Sequence, residues 1–146
     1  MKWYLMIFIC MLSASVVRAS TVIEFARMID INIKDVRQCV YQSNLTDKDM
    51  MKLDTAFRNG NVSVESLDEF QLNLGCFIVC ILDKAHLMEN SDILLDTLIE
   101  TAERNDFHVD DATKQKLNEC FELATEQDDQ CKRGYVFAFC FIKQIQ

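Results

Sequence analysis

Apolar residues recur at every third or fourth position along most of this chain, the spacing that lays one stripe down a helix. Val22, Phe25, Ile29, Ile33, Val36 and Val40 form the first stripe, with Glu24, Arg27, Lys34 and Arg37 off it. This predicts one continuous helix over 22–40. Thr46-Asp47-Lys48-Asp49 predicts the start of a second, because Thr caps a helix well and acids suit its first turn. Asn59-Gly60 predicts its end, since glycine takes the left-handed conformation after a helix without steric cost. A third helix is expected from Ser63 or Ser66, with Phe70, Leu74, Phe77, Ile81 and Leu82 inward. A fourth is expected behind a Ser91 or Asp92 cap, with Leu94, Leu95, Leu98, Ile99 and Ala102 inward. A fifth starts near Asp110 and carries Leu117, Cys120, Phe121 and Ala124. The last runs from about Asp128 to Ile142. Its stretch from Tyr135 to Ile142 is apolar all round, which predicts burial on more than one side and a central position. Three glycines and no proline leave little of the punctuation that a strand-rich chain needs. The expected fold is all-α, a compact bundle of about six helices in one domain.

The first twenty residues follow another logic. Lys2 precedes an apolar core, Trp3 to Leu12, and Val17-Arg18-Ala19 puts small residues at the −3 and −1 positions of a cleavage site. A signal peptide over 1–19 is expected, leaving 20–146 as the mature, secreted domain. Only about 15 residues stay apolar where a spanning helix needs about 20, so no membrane insertion is expected after cleavage.

Cleavage changes the cysteine count. Cys10 leaves, and Cys39, Cys76, Cys80, Cys120, Cys131 and Cys140 remain. An even number in an exported chain implies a disulfide framework, with many pairings open to the sequence. Cys76 and Cys80 fall at i and i+4 on a helix, where their Cβ vectors run nearly parallel and bridge each other poorly. Each is expected to reach out to a different helix. His86 and His108 make no ligand pattern with the cysteines, so no metal site and no cofactor are expected; both are expected as solvated residues near helix ends. Loss of Lys2 and Arg18 takes the Lys and Arg count from 15 to 13 against 23 acids, a net charge near −10. Such a surface repels nucleic acid and anionic bilayers. No Gly-x-Ser-x-Gly, Cys-Cys-x-x-His-Asp or His-Glu-x-x-His motif occurs, so no catalytic residues and no enzyme activity are expected.

The cysteine framework reads Cys39-x36-Cys76-x3-Cys80-x39-Cys120-x10-Cys131-x8-Cys140. It resembles that of the insect odorant-binding proteins, six-cysteine helical secreted carriers. The x3 and x8 gaps are the diagnostic ones, and the likeness covers essentially the whole mature chain. Lys84 and Leu87-Met88 after Cys80, and Asp128-Asp129-Gln130 before Cys131, support it. The resemblance implies three interlocked disulfides: Cys39–Cys80, Cys76–Cys131 and Cys120–Cys140. It also implies an apolar cavity that takes a small volatile or lipid-like molecule through aqueous extracellular fluid. Further implied partners are a membrane receptor and, at most, a second copy in a weak homodimer. The expected walls are Phe77, Ile81, Met88, Leu98, Phe137 and Phe141, with Tyr135 offering a hydroxyl to an alcohol, aldehyde or ester. Phe141 comes from the resemblance, since some relatives set an aromatic after the sixth cysteine against the ligand. Plain core packing suits each of these residues equally. Relatives of the same type also act in saliva, venom glands and reproductive fluid, as carriers or secreted signals, and that is the alternative reading.

Two departures stand out. The 36-residue first gap is longer than the family's usual one, and the excess is assigned to the loop around Asn59-Gly60-Asn61 and Ser63 or to a longer second helix. Six residues after Cys140 are too few for the tail helix that some moth pheromone carriers fold into the cavity at low pH. Asn44-Leu45-Thr46 and Asn61-Val62-Ser63 both match the N-glycosylation pattern, while Thr46 and Ser63 serve equally as helix caps. Glu65, Asp68, Glu69, Glu122, Glu126, Asp128 and Asp129 read as solvated acidic faces, with Lys132-Arg133 balancing the last two.

Overall fold

A computed structural model of the chain describes residues 21–59 and 66–145. The expected leader and the readings placed on Gly60, Asn61, Ser63 and Glu65 lie outside the described residues. Among those described there are seven helices: α1 (Thr21–Met28), α2 (Ile33–Gln42), α3 (Asp47–Asn59), α4 (Glu69–Lys84), α5 (Leu95–Arg104), α6 (Asp111–Thr125) and α7 (Gln130–Ile145). A hairpin of two-residue strands, β1 (Met88–Glu89) and β2 (Asp92–Ile93), separates α4 from α5. The all-α class holds, with seven helices where six were expected.

The additional helix comes from the first stripe, which is two helices and not one. Asp30 takes φ 59°, left-handed and non-helical. The Asp30 N–H donates to the Arg27 carbonyl at 3.3 Å and the Ile31 N–H to the Ala26 carbonyl at 2.9 Å, which together close α1 as a Schellman motif. Asn32 then caps α2, its side chain accepting from the Asp35 N–H at 2.9 Å. The stripe of apolar residues crosses this corner unbroken, so hydrophobic spacing alone does not reveal it. Ile33, which the stripe placed inward, is 52% exposed.

The same ending recurs at three more corners. Asn44 (φ 55°), His86 (φ 59°) and Asp106 (φ 65°) follow α2, α4 and α5. The next residue's N–H reaches back each time: Leu45 to Val40 at 3.1 Å, Leu87 to Leu82 at 2.8 Å and Phe107 to Ala102 at 3.0 Å. Each such pair is apolar, as the motif requires of the two positions it brings together. This chain therefore turns its helix ends with Asp, Asn and His at positions where glycine is the usual choice.

Helix starts are capped by side chains. Thr46 and Asp49 exchange hydrogen bonds as expected, with the Thr46 N–H donating to Asp49 Oδ2 at 2.8 Å and the Asp49 N–H to Thr46 Oγ1 at 3.2 Å. Asp110 accepts from the Thr113 N–H at 2.8 Å and opens α6. The third expected helix starts later than Ser63 or Ser66: Asp68 is its cap, in a reciprocal box with Gln71. Asp68 and Asp129 thus act as caps besides being solvated acids, since Asp129 accepts from the Lys132 N–H at 2.9 Å. Neither Ser91 nor Asp92 caps the next helix. Asn90 and Ser91, at φ 51° and 70°, form the two-residue turn of the hairpin, and α5 begins at Leu95 without a side-chain cap. Arg133 does not balance Asp128 or Asp129 either. Its guanidinium spans from the Gln127 carbonyl to Asp92 Oδ1 at 3.1 Å and so pins the hairpin tip to the α6–α7 turn.

The last helix is central, as its apolar circumference predicts. Residues 134–139 of α7 are all buried, and the helix packs against α4, α6 and α3. Its contact with α4 depends on two glycines. A Cβ on Gly134 would lie 2.6 Å from the Gly75 carbonyl oxygen, and one on Gly75 would overlap the Cys131 carbonyl. Backbone approaches backbone here, and no other residue type fits. Three disulfides fix the same arrangement: Cys39–Cys80 joins α2 to α4, Cys76–Cys131 joins α4 to α7, and Cys120–Cys140 joins α6 to α7. The pairing implied by the resemblance is the one present, and Cys76 and Cys80 each leave their own helix. Each bridge stabilises by about 2–4 kcal/mol, mainly through the unfolded chain in the entropic account.

Candidate ligand-binding interior

Helical spacing brings the expected wall residues into one apolar interior. Phe77 and Ile81 stand one turn apart on α4, and both are buried. Leu98 is buried on α5 and Phe137 on α7. Phe141 follows Phe137 by one turn and is half-buried, as is Met88 on β1. The buried four belong to a single hydrophobic cluster, and Met88 and Phe141 pack against it. Phe77, Phe137 and Phe141 supply broad ring faces, while Met88 supplies a flexible thioether that adapts to varied shapes.

Tyr135 stands apart from this group. Two residues from Phe137, it lies about 200° round the helix from it. Its ring stacks on Phe139 with centroids 5.3 Å apart. Its hydroxyl accepts from Gln71 Nε2 at 3.0 Å, while Gln71 Oε1 accepts from the Asp68 N–H at 2.9 Å. The α4 cap and the α7 aromatic are therefore one polar relay. Burial pushes the Tyr135 hydroxyl above the ordinary phenol range, and the Gln71 hydrogen bond partly opposes this.

The interior is almost free of charge and polarity. Ser43 and Thr101 are the polar residues buried among those described, and Thr101 Oγ1 accepts from the Arg104 guanidinium at 3.3 Å. The six cysteines among the described residues are all oxidised, which removes them as nucleophiles or thiolate ligands. Among the described residues no group of three His, Cys, Asp or Glu side chains could hold a metal, and no helix is long and apolar enough to cross a membrane. His86 and His108 are exposed beside helix ends, as expected. What such an interior does chemically is accept apolar surface from water, worth about 25 cal/mol per Å² buried.

Sequence reasoning missed the glycine crossing, Gln71 and the Arg133 strap. The first left a trace: Gly75 and Gly134 are isolated glycines inside helical apolar runs, and such a glycine commonly has a packing reason. Gln71 and Arg133 left none, because their partners lie 64 and 41 residues away in the chain.

An all-helical domain, crosslinked three times around an uncharged interior, is the architecture of a small helical carrier of hydrophobic molecules. Residues 27–144 match the PBP/GOBP family, and the chain belongs to that family of insect odorant- and pheromone-binding proteins. Neither the curated proteins nor the solved structures compared with it include a match. The family is one of small secreted carriers.

Proposed function

We propose that the mature chain, released by cleavage after Ala19, takes up small volatile or lipid-like molecules and ferries them as odorants or pheromones through aqueous extracellular fluid. The ligand enters an apolar cavity walled by Phe77, Ile81, Met88, Leu98, Phe137 and Phe141. One observation carries this reading: these residues come from four separate elements yet share one uncharged cluster, held by disulfides that meet on α4 and α7. Such crosslinks support an opening that ordinary close packing would fill. Binding is then mainly burial of apolar ligand surface. Tyr135 belongs to this reading only where its hydroxyl, which accepts from Gln71, turns its own proton to an oxygen-bearing headgroup. A membrane receptor and a second copy in a weak dimer are the further partners of this reading.

The test is competitive displacement. An apolar fluorescent probe is loaded into the oxidised protein and challenged with a panel of volatiles and longer lipids. Saturable uptake, displaced by a subset of the panel, is the expected result. No uptake of any apolar probe by correctly paired protein defeats the carrier reading.

A further inference from the structure

The corner between α2 and α3 carries a feature for which ligand transport has no use. Asn44 is exposed at this corner, in the left-handed conformation. Its backbone N–H donates to the Tyr41 carbonyl at 3.2 Å, and its side-chain amide makes no hydrogen bond among the described residues. Leu45 is buried and Thr46 caps α3. The corner between α1 and α2 meets the same three demands with Asp30, buried Ile31 and the cap Asn32. The fold therefore asks for a left-handed-tolerant residue, a buried apolar one and a cap. It does not ask for Asn followed two places on by Thr, which is the acceptor pattern for an N-linked sugar.

A second observation points the same way. Tyr41, three residues before Asn44 in the last turn of α2, is 70% exposed and takes no part in the core. A solvent-facing ring in the turn that holds the Asn offers a flat apolar plate to the C–H face of a first sugar.

We propose that Asn44 carries an N-linked glycan whose first sugar packs on the Tyr41 ring. The proposal rests on export, because the transfer takes place in the secretory pathway. Asn44 Nδ2 attacks C1 of an oligosaccharide held as a lipid-linked pyrophosphate. The N–C1 bond forms and the C1–O bond breaks. The lipid pyrophosphate leaves with that electron pair, and the amide proton passes to a base of the transferase. Transfer to the emerging chain precedes the folding that engages Thr46 as a cap. The finished corner then holds the sugar in solvent, since the Asn44 amide has no structural bond to lose.

The test uses the full chain, expressed in a eukaryotic secretory host with Asn61→Gln so that one Asn-x-Ser/Thr pattern remains. Digestion with an amidase that cleaves between sugar and Asn should raise the mobility of the secreted protein and convert the Asn44 amide to an acid in the peptide map. Asn44→Gln and Thr46→Ala should lose the shift, while Thr46→Ser, which keeps the hydroxyl, should retain it. Tyr41→Ala should lower the Tm of the glycosylated form and leave that of the digested form unchanged. Secreted protein without a shift overturns the glycan alone. A chain that is never exported overturns the glycan and the export reading together. An equal Tm loss in both forms overturns the packing on Tyr41.

Discussion

Gly134 stands so close to Gly75 that a methyl group on it would sit 2.6 Å from the Gly75 carbonyl oxygen. The obstacle is backbone in a helix, not the movable end of a side chain. Gly75→Ala and Gly134→Ala should therefore push α4 and α7 apart, although both changes favour an isolated helix by propensity. Overpacking costs about 1–3 kcal/mol, and the proximity of the Cys76–Cys131 bridge limits relaxation. Denaturant midpoints measure it. A midpoint equal to or above that of the native chain for both variants would show that the crossing is not rigid.

At the helix ends the argument runs the other way. His86 is exposed and left-handed, and a side chain there costs about 1–2 kcal/mol that glycine avoids. Glycine gives part of this back through unfolded-chain entropy, so His86→Gly should stabilise by about 0.5–1 kcal/mol net. His86→Val should destabilise, because a β-branched residue resists positive φ. Equal stability of the two variants would contradict the assigned corner.

The relay from Asp68 through Gln71 to Tyr135 predicts a coupling. Tyr135→Phe removes the long-range hydrogen bond and should cost about 0.5–1.5 kcal/mol. Combining it with Gln71→Ala should give less than the sum of the two, because both changes break the same bond. Strict additivity in the cycle would dissolve the relay.

Stability should fall at both extremes of pH, for different reasons. The Tyr135 hydroxyl titrates above its ordinary value near 10.0 in the folded chain, so its contribution is complete below that value and is lost as pH rises through the folded one. Hydrogen bonds from Thr46 and Thr113 hold the Asp49 and Asp110 carboxyls below the ordinary 3.8. Their contribution is present above that value and disappears as pH falls through the folded ones. Thermal unfolding across pH 2–12 reads both arms. In Tyr135→Phe the alkaline arm alone should flatten, and an unchanged alkaline arm would assign it to other groups.

For the ligand, Phe141→Ala is the informative change. Phe141 is half-buried at the edge of the cluster, so its removal should leave the fold and the three disulfides intact. Losing one ring face from the ligand should weaken probe uptake by about 1–2 kcal/mol, roughly five- to thirty-fold. Unchanged affinity would take Phe141 off the wall.

Helix content and the buried last helix were legible because both rest on periodicity, which is local. Leu74, Phe77, Ile81, Leu98, Leu117 and Ala124 are buried where their stripes place them. The break at Asp30 was hidden for the same reason: the apolar rhythm continues through a corner whose signal is one Asp and one Asn. The Met88–Ile93 hairpin was hidden because its turn is Asn90-Ser91, without the glycine that usually marks such a turn. The disulfide pairing came from family spacing, not from any property of a single cysteine. For the expected wall residues the structure adds full burial of Phe77, Ile81, Leu98 and Phe137 and partial burial of Met88 and Phe141. Touching cargo and packing neighbours call for the same apolar side chains, so an apolar stripe marks both alike.

The three bridges overlap in chain order: 76 falls inside the 39–80 span, 120 falls inside the 76–131 span, and 131 falls inside the 120–140 span. A peptide bond broken anywhere between Cys39 and Cys140 is therefore spanned by at least one crosslink. A protease can nick this span once without releasing a fragment, and only a second cut or a reductant takes it apart.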